Sequence, residues 1–214
     1  MWIMDSFYKE EELLSLGLKQ YGSDVHISRK ASIYGAENVI IGDNVRIDDF
    51  CILSGRVEIG NNVHIAAYSA LYGGTEGIFI GNFANISSRV SIYSVSNDYS
   101  GKSMTNPTIP DEYKEVIKSS VHIGEDVIIG STSVVLPGVN IAEGGSFGAF
   151  SLINQDTEEW TIYAGIPVKK LKERSRRAKM MEKEYIAKQT FGGAKLKRKN
   201  FLMHSFCDMR RNVA

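Results

Sequence analysis

Four histidines, His26, His64, His122 and His204, supply all the imidazole in this chain. An imidazole is the natural base when a hydroxyl or amine attacks an activated carbonyl. His64 lies in IGNNVHIAAYSALYGG, one residue before an aliphatic that recurs every six positions. It therefore faces outward while its neighbour faces in. Three periods further on, after a short insertion, Asn85 falls beside it. Residues 94–118, SVSNDYSGKSMTNPTIPDEYKEVIK, interrupt the period and carry Asn97, Asp98 and Tyr99. A carboxylate such as Asp98 can orient the imidazole, bind the acceptor or take the proton itself. His64, Asp98 and Asn85 are the expected catalytic group, in one neighbourhood, with Tyr93, Asn97 and Tyr99 as acceptor contacts. No close histidine pair exists, so no metal is expected.

The elements that position these residues follow from the period. Ile41, Ile47, Leu53, Ile59, Ile65 and Leu71 are six apart. After an insertion at Gly73-Gly74-Thr75 come Ile80, Ile86 and Ile92; after the long interruption the series runs from Ile123 to Ile153, and Ile27 and Ile33 extend it backwards. A small or β-branched residue follows each aliphatic by four, as in Val45, Cys51, Val63 and Val127. Each such residue stands two before the next aliphatic, which is strand alternation and not helical spacing. Short strands joined by Gly and Asn turns, three to a coil, predict an all-β solenoid of about six triangular coils.

This pattern, over roughly residues 25–171, resembles the hexapeptide-repeat acyltransferases, and among them the sugar, galactoside and maltose O-acetyltransferase type. The resemblance implies a left-handed parallel β-helix, a homotrimer with active sites between subunits, and acetyl-CoA as co-substrate. SFGAFSLINQD and YAGIPVKKLKER resemble the family's last coils, where the cofactor lies along the helix. Matching those motifs places Ser131, Gly148, Ala149, Asn154, Gln155, Lys169 and Lys172 at the cofactor. Small residues admit the pantetheine arm and lysines meet its phosphates. The family often has Lys where Gln155 stands, and its loop histidine is Asn97 here, which cannot take a proton at neutral pH. Either the base has moved, to His64 or Asp98, or the protein is a non-catalytic scaffold.

The leading expectation is O-acetylation of a saccharide hydroxyl in surface polysaccharide (O-antigen or capsule) synthesis. The alternative is N-acetylation of a nucleotide-linked amino sugar. A three-histidine zinc enzyme of carbonic anhydrase type, known on this architecture, lacks its ligand spacing here.

The chain has 214 residues, 43% of them apolar, enough for one sizeable core. No apolar run is long enough to span a membrane, and the start, MWIMDSFYKEEELL, does not read as a signal peptide. With two cysteines, Cys51 and Cys207, far apart, a reduced bacterial cytoplasm is expected. Net charge is zero, yet from Lys169 onward there are 15 Lys and Arg against 4 Asp and Glu. That basic end suits an anionic cofactor or an anionic membrane surface; nucleic-acid binding is not expected, because interleaved aromatics are missing. Residues 1–24 are expected as a capping helix (6–22, capped by Asp5 or Ser6), 25–168 as the β-helix, and 169–214 as a basic helix from Leu171 followed by a tail.

Overall fold

The computed structural model describes residues 6–189. The residues six apart form continuous lines inside a three-sided solenoid. Ile27, Ile47, Leu53, Ile65, Leu71, Ile86, Ile92, Ile129, Val135 and Ile153 are fully buried, as are Val45, Cys51, Ser69 and Val90 between them. Each such aliphatic contributes about 1.5–3 kcal/mol by leaving water. Ile33 is only half-buried; its strand has a neighbour on one side, Leu53, and ends the stack on the other.

Face I carries seven parallel strands among the described residues, starting with Val25–Ile27 and Val45–Ile47 and ending with Thr161–Ala164. Seven coils thus stand where about six were expected. Face II includes Ser32–Tyr34, Ser91–Tyr93, Val134–Val135 and Leu152–Ile153; face III includes Val39–Ile41, Val121–Ile123 and Asn140–Ile141. Strands Ile52–Ile59 and Ala70–Ile80 run round the corner between faces II and III, so those two faces form one sheet.

The corners work differently from the sequence reading. The glycines of IGDN, IGNN and IGNF do not take left-handed backbone; they let successive coils touch. A Cβ on Gly42 would sit 2.4 Å from Asn61 Oδ1, and one on Gly81 would sit 2.7 Å from the Glu125 nitrogen. The left-handed residue comes two later, at Asn44 (φ 52°), Asn62 (φ 57°) and Phe83 (φ 58°). The corner from face I to face II uses Phe50, Tyr68, Arg89, Thr132 and Phe150, with φ between 58° and 65°. Each costs about 1–2 kcal/mol in backbone strain. Bonds between coils offset it, as where the Asp43 amide donates to Asn61 Oδ1 at 2.7 Å and the Asn61 amide to Asn82 Oδ1 at 2.8 Å.

Residues 94–118 leave the solenoid at the corner from face II to face III. Their stem is an antiparallel pair, Val95–Asn97 with Val116–Lys118. Ser94, fully buried, pins it: its amide donates to the Tyr72 carbonyl at 3.0 Å, its hydroxyl to the Gly73 carbonyl at 2.5 Å, and its own carbonyl accepts the Ser119 amide at 2.9 Å. The Gly73-Gly74 insertion therefore makes the seat of the loop.

Both ends depart from expectation. The N-terminal helix is one turn, Glu10–Leu13, continued as a 3-10 turn Leu14–Leu16 and stopped by Gly17 at φ 70°. It starts after Lys9, whose amide donates to Glu12 at 2.8 Å; Asp5 lies outside the described residues. Gln20–Tyr21 already belongs to the first coil, paired with Ile40 and Ile41. Lys169–Glu173, expected to open a helix at Leu171, is a strand antiparallel to Thr161–Ala164. A compact unit ends at Arg174, and a second begins at Ser175 with a helix from 177 to 189. The tail from 190, with His204 and Cys207, lies outside the described residues. Among the described residues no helix is long and apolar enough to cross a membrane.

Candidate active site

The expected residues fall into two groups on different faces. On face I, His64 pairs with Asn85 in the strand register, as counting predicted. The ring is held on both sides: Nε2 lies 2.9 Å from Asp48 Oδ2, and Nδ1 lies 3.2 Å from Asn85 Oδ1. A carboxylate only accepts, so Nε2 carries a proton. Asn85 Oδ1 is an acceptor too, so the contact at Nδ1 is a hydrogen bond if that nitrogen also donates or if the amide is turned to present its NH2; in either arrangement Nδ1 faces Asn85 and not open space. Asp48 in turn accepts from Arg46 Nε at 2.7 Å. His64 is half-exposed.

Below this pair, face I becomes smooth. Asn85, Ile128, Ser146 and Ile162 follow one another in register, and Lys172 ends the column. Beside them Gly148 donates its amide to Tyr163, and Ala149 is exposed. Ser131 shares a hydroxyl contact of 3.3 Å with Ser88, one coil earlier. An irregularity at Leu171 brings both Lys169, opposite Ala164, and Lys172, opposite Ile162, to the outer side. Lys170 is committed elsewhere: its ammonium donates to Glu158 at 2.5 Å, which raises its pKa. Four strand spacings, about 19 Å, separate Asn85 from Lys172. A column flanked by Ser146, Gly148 and Ala149 and ending in two exposed lysines suits an extended chain with phosphates at one end.

The second group surrounds a cavity of about 600 Å³ under the loop stem. Tyr93, Asn97, Tyr99 and Asn154 all line it, with apolar walls from Val95, Ile117, Val134, Leu136 and Pro137. Tyr93 stacks on Tyr72 with ring centroids 5.0 Å apart. Gln155 is exposed next to Asn154. Asp98 follows Asn97 at the tip of the stem. Its Oδ1 accepts the Ser100 amide at 2.8 Å; its Oδ2 accepts the Ser100 hydroxyl at 3.0 Å and both the amide and hydroxyl of Ser103 at 3.2 Å. These donors, Ser100 first, hold the carboxyl below the usual aspartate range.

Within one chain, then, His64 and Asn85 stand on face I and the Asn97-Asp98 segment stands at the corner between faces II and III. Ser88, at the corner between faces I and II, is not singled out by sequence reasoning. The register finds it: with the loop removed, it is the residue one coil before Ser131. His26 contacts Asp24 at 2.9 Å and His122 stacks on Phe79 at 4.7 Å, both away from the cavity.

The bacterial transferase hexapeptide (six repeats) family model matches residues 38–73. The chain is 45% identical over 194 residues to a dTDP-4-amino-4,6-dideoxy-D-glucose acyltransferase of Escherichia coli, covering 89% of this chain and 100% of the relative. The fold is similar to AntD, an N-acyltransferase from Bacillus cereus, solved with dTDP and 3-hydroxybutyryl-CoA: TM-score 0.85, 48% identity, 86% of this chain and 98% of that one. A variant of AntD with a serine replaced, solved with dTDP-4-amino-4,6-dideoxyglucose and coenzyme A, gives TM-score 0.84 at 48% identity over 85% of this chain and 98% of that one.

Proposed function

The chain belongs to the hexapeptide-repeat family of bacterial transferases, with its left-handed parallel β-helix, and is an acyl-CoA-dependent sugar acyltransferase; from that premise we propose that it acylates the exocyclic amine of a nucleotide-linked amino sugar. The observation that carries this reading is the state of the two candidate bases. His64 has both nitrogens engaged, and Asp98 is held ionised by four hydrogen bonds. A hydroxyl needs a free general base to take its proton as it attacks; a neutral amine can attack with its own lone pair before it loses a proton. An ionised carboxylate serves an amine well, accepting an N–H and favouring the positive charge that grows on nitrogen during attack. The amine adds to the thioester carbonyl, the C–S bond breaks, and the displaced proton leaves with the thiol.

Asp98 orients the amine, with Asn97, Tyr93 and Tyr99 around the sugar. The cofactor runs along face I from Lys169 and Lys172 past Ser131, Gly148 and Ala149, with Asn154 and Gln155 from the other group. Structures of AntD include variants at a serine and at an aspartate ten positions further along. Ser88 and Asp98 stand at that spacing here, which supports a role for both. The two groups of one chain complete a site only between copies, so the working form is a homotrimer, with face I of one copy against the loop of its neighbour. Its setting is the bacterial cytoplasm, where acyl-CoA and nucleotide sugars are available, with the basic stretch from Lys169 as a contact for an anionic membrane surface.

A hydroxyl acceptor in surface polysaccharide is the second reading. It is favoured by 32% identity over 164 residues to WbbJ of Escherichia coli K12, a protein named as a lipopolysaccharide biosynthesis O-acetyl transferase on a provisional basis, covering 74% of this chain and 80% of the relative. The deciding experiment offers acetyl-CoA with a dTDP-4-amino-4,6-dideoxyhexose or its 4-hydroxy counterpart and identifies products by mass. Amide formation with the first and little ester with the second is expected. Equal kcat/KM for the two would overturn the amine reading. Light scattering tests the assembly: a monomer would remove the shared site.

A further inference from the structure

Asp98 carries more donors than a turn needs. The bond from the Ser100 amide to Oδ1 closes a two-residue turn, which is common at loop tips. Ser103 then adds two further bonds from five residues away, amide and hydroxyl both on Oδ2 at 3.2 Å, and the Ser100 hydroxyl adds a third on the same atom at 3.0 Å. A carboxylate offers about four lone-pair positions, two per oxygen. Oδ2 is saturated by three donors; Oδ1 has one donor and one position left. The chain that carries Asp98 is fixed at its root by Ser94 and at its stem by the pairing of Asn97 with Val116. Tyr99, which lines the cavity, sits between Asp98 and Ser100, so its backbone lies within the turn that these bonds close.

We propose that Ser100 and Ser103 are positioning residues for acyl transfer: together they lock the Asp98 carboxylate so that a single Oδ1 position remains open for an N–H of the acceptor amine. This rests on the amine reading above. The clamp spares the enzyme the cost of freezing a loop carboxylate during the reaction and directs it by geometry. It also explains how a partly buried aspartate just beyond the end of a short strand pair can be a precise acceptor.

The test uses the full-length protein and four substitutions: Ser103→Ala, Ser103→Thr, the double Ser100→Ala/Ser103→Ala, and Asp98→Asn. Ser103→Thr keeps both donors. Expected is a fall in kcat of roughly 10-fold for Ser103→Ala with KM for acetyl-CoA unchanged, recovery in Ser103→Thr, and a larger loss in the double. The readout that a purely structural role would not move is the Asp98 carboxyl signal in a 13C NMR titration without substrate. Its midpoint should rise toward the ordinary aspartate value in the double variant while unfolding by urea stays close to wild type. An unmoved midpoint, or Ser103→Thr no better than Ser103→Ala, overturns the clamp. Full activity in Asp98→Asn instead overturns the amine-orienting role itself, so the two failures are told apart.

Discussion

Replacing Gly74 by alanine should damage the loop seat by an amount that can be separated into two parts. Gly74 has φ +51°, and a Cβ there would lie 2.4 Å from Val95 Cγ2. The left-handed backbone costs an L-residue about 1–2 kcal/mol. The contact with Val95 forces that side chain or the stem to shift, an overpacking cost of about 1–3 kcal/mol. The expected total is about 2–5 kcal/mol. Gly17→Ala is the matched control: its φ is +70° and nothing lies within 4 Å of the added carbon, so only the first cost applies. Both are read as urea midpoints at constant slope. Adding Val95→Ala to Gly74→Ala removes the struck methyl and should return the second part, less the loss of the partly buried valine. Because Val95 also lines the cavity, Gly74→Ala should raise KM for the acceptor while Gly17→Ala leaves it alone. Equal destabilisation by the two glycine substitutions, or no recovery in the double variant, would refute the coupling between insertion and loop.

Two other outcomes are expected. Burial pushes the Cys51 thiol up to about 11, and its Sγ donates to the Ala66 carbonyl at 3.2 Å; at pH 8 the thiolate is roughly one part in a thousand. In a Cys207→Ser background, Cys51 should therefore resist a thiol–disulfide reagent until urea unfolds the chain, and rapid labelling of native protein would contradict this. Lys169→Ala and Lys172→Ala should each weaken acetyl-CoA binding roughly 10-fold by calorimetry, the share of one charge-assisted hydrogen bond. Lys170→Ala, whose ammonium is committed to Glu158, should cost less, and equal losses at all three would contradict the assignment of faces.

The sequence made the interior legible because each coil repeats the same two constraints: an aliphatic six residues after the last, and a smaller residue two before it. The same counting placed Asn85 beside His64, since register in a solenoid is arithmetic. What it could not show was bonding that depends on a folded corner. Nothing in SNDYSGKS states that Ser103 reaches back to Asp98, or that Asp48 closes on the other side of His64. Nor does spacing tell that His64 and Asp98 occupy different faces, because the loop leaves after a further strand has turned the chain. The glycine of IGDN reads as a turn residue, yet its role is close approach between coils. At the C-terminal end, LKER has helix-forming residues, but pairing with Thr161–Ala164 satisfies the backbone of the last coil, and tertiary pairing overrides local preference.

The even stacking of face I has a consequence of measure. Each coil advances the surface by about 4.8 Å, so the distance from the lysines at one end to the His64–Asn85 pair is set by a count of coils. On the reading proposed for the cofactor, the solenoid is a ruler for its extended arm, graduated in whole coils. Removing one complete coil between Asn85 and Ser146, with the inward lines kept in phase, would shorten that scale by one graduation and leave every residue at both ends unchanged.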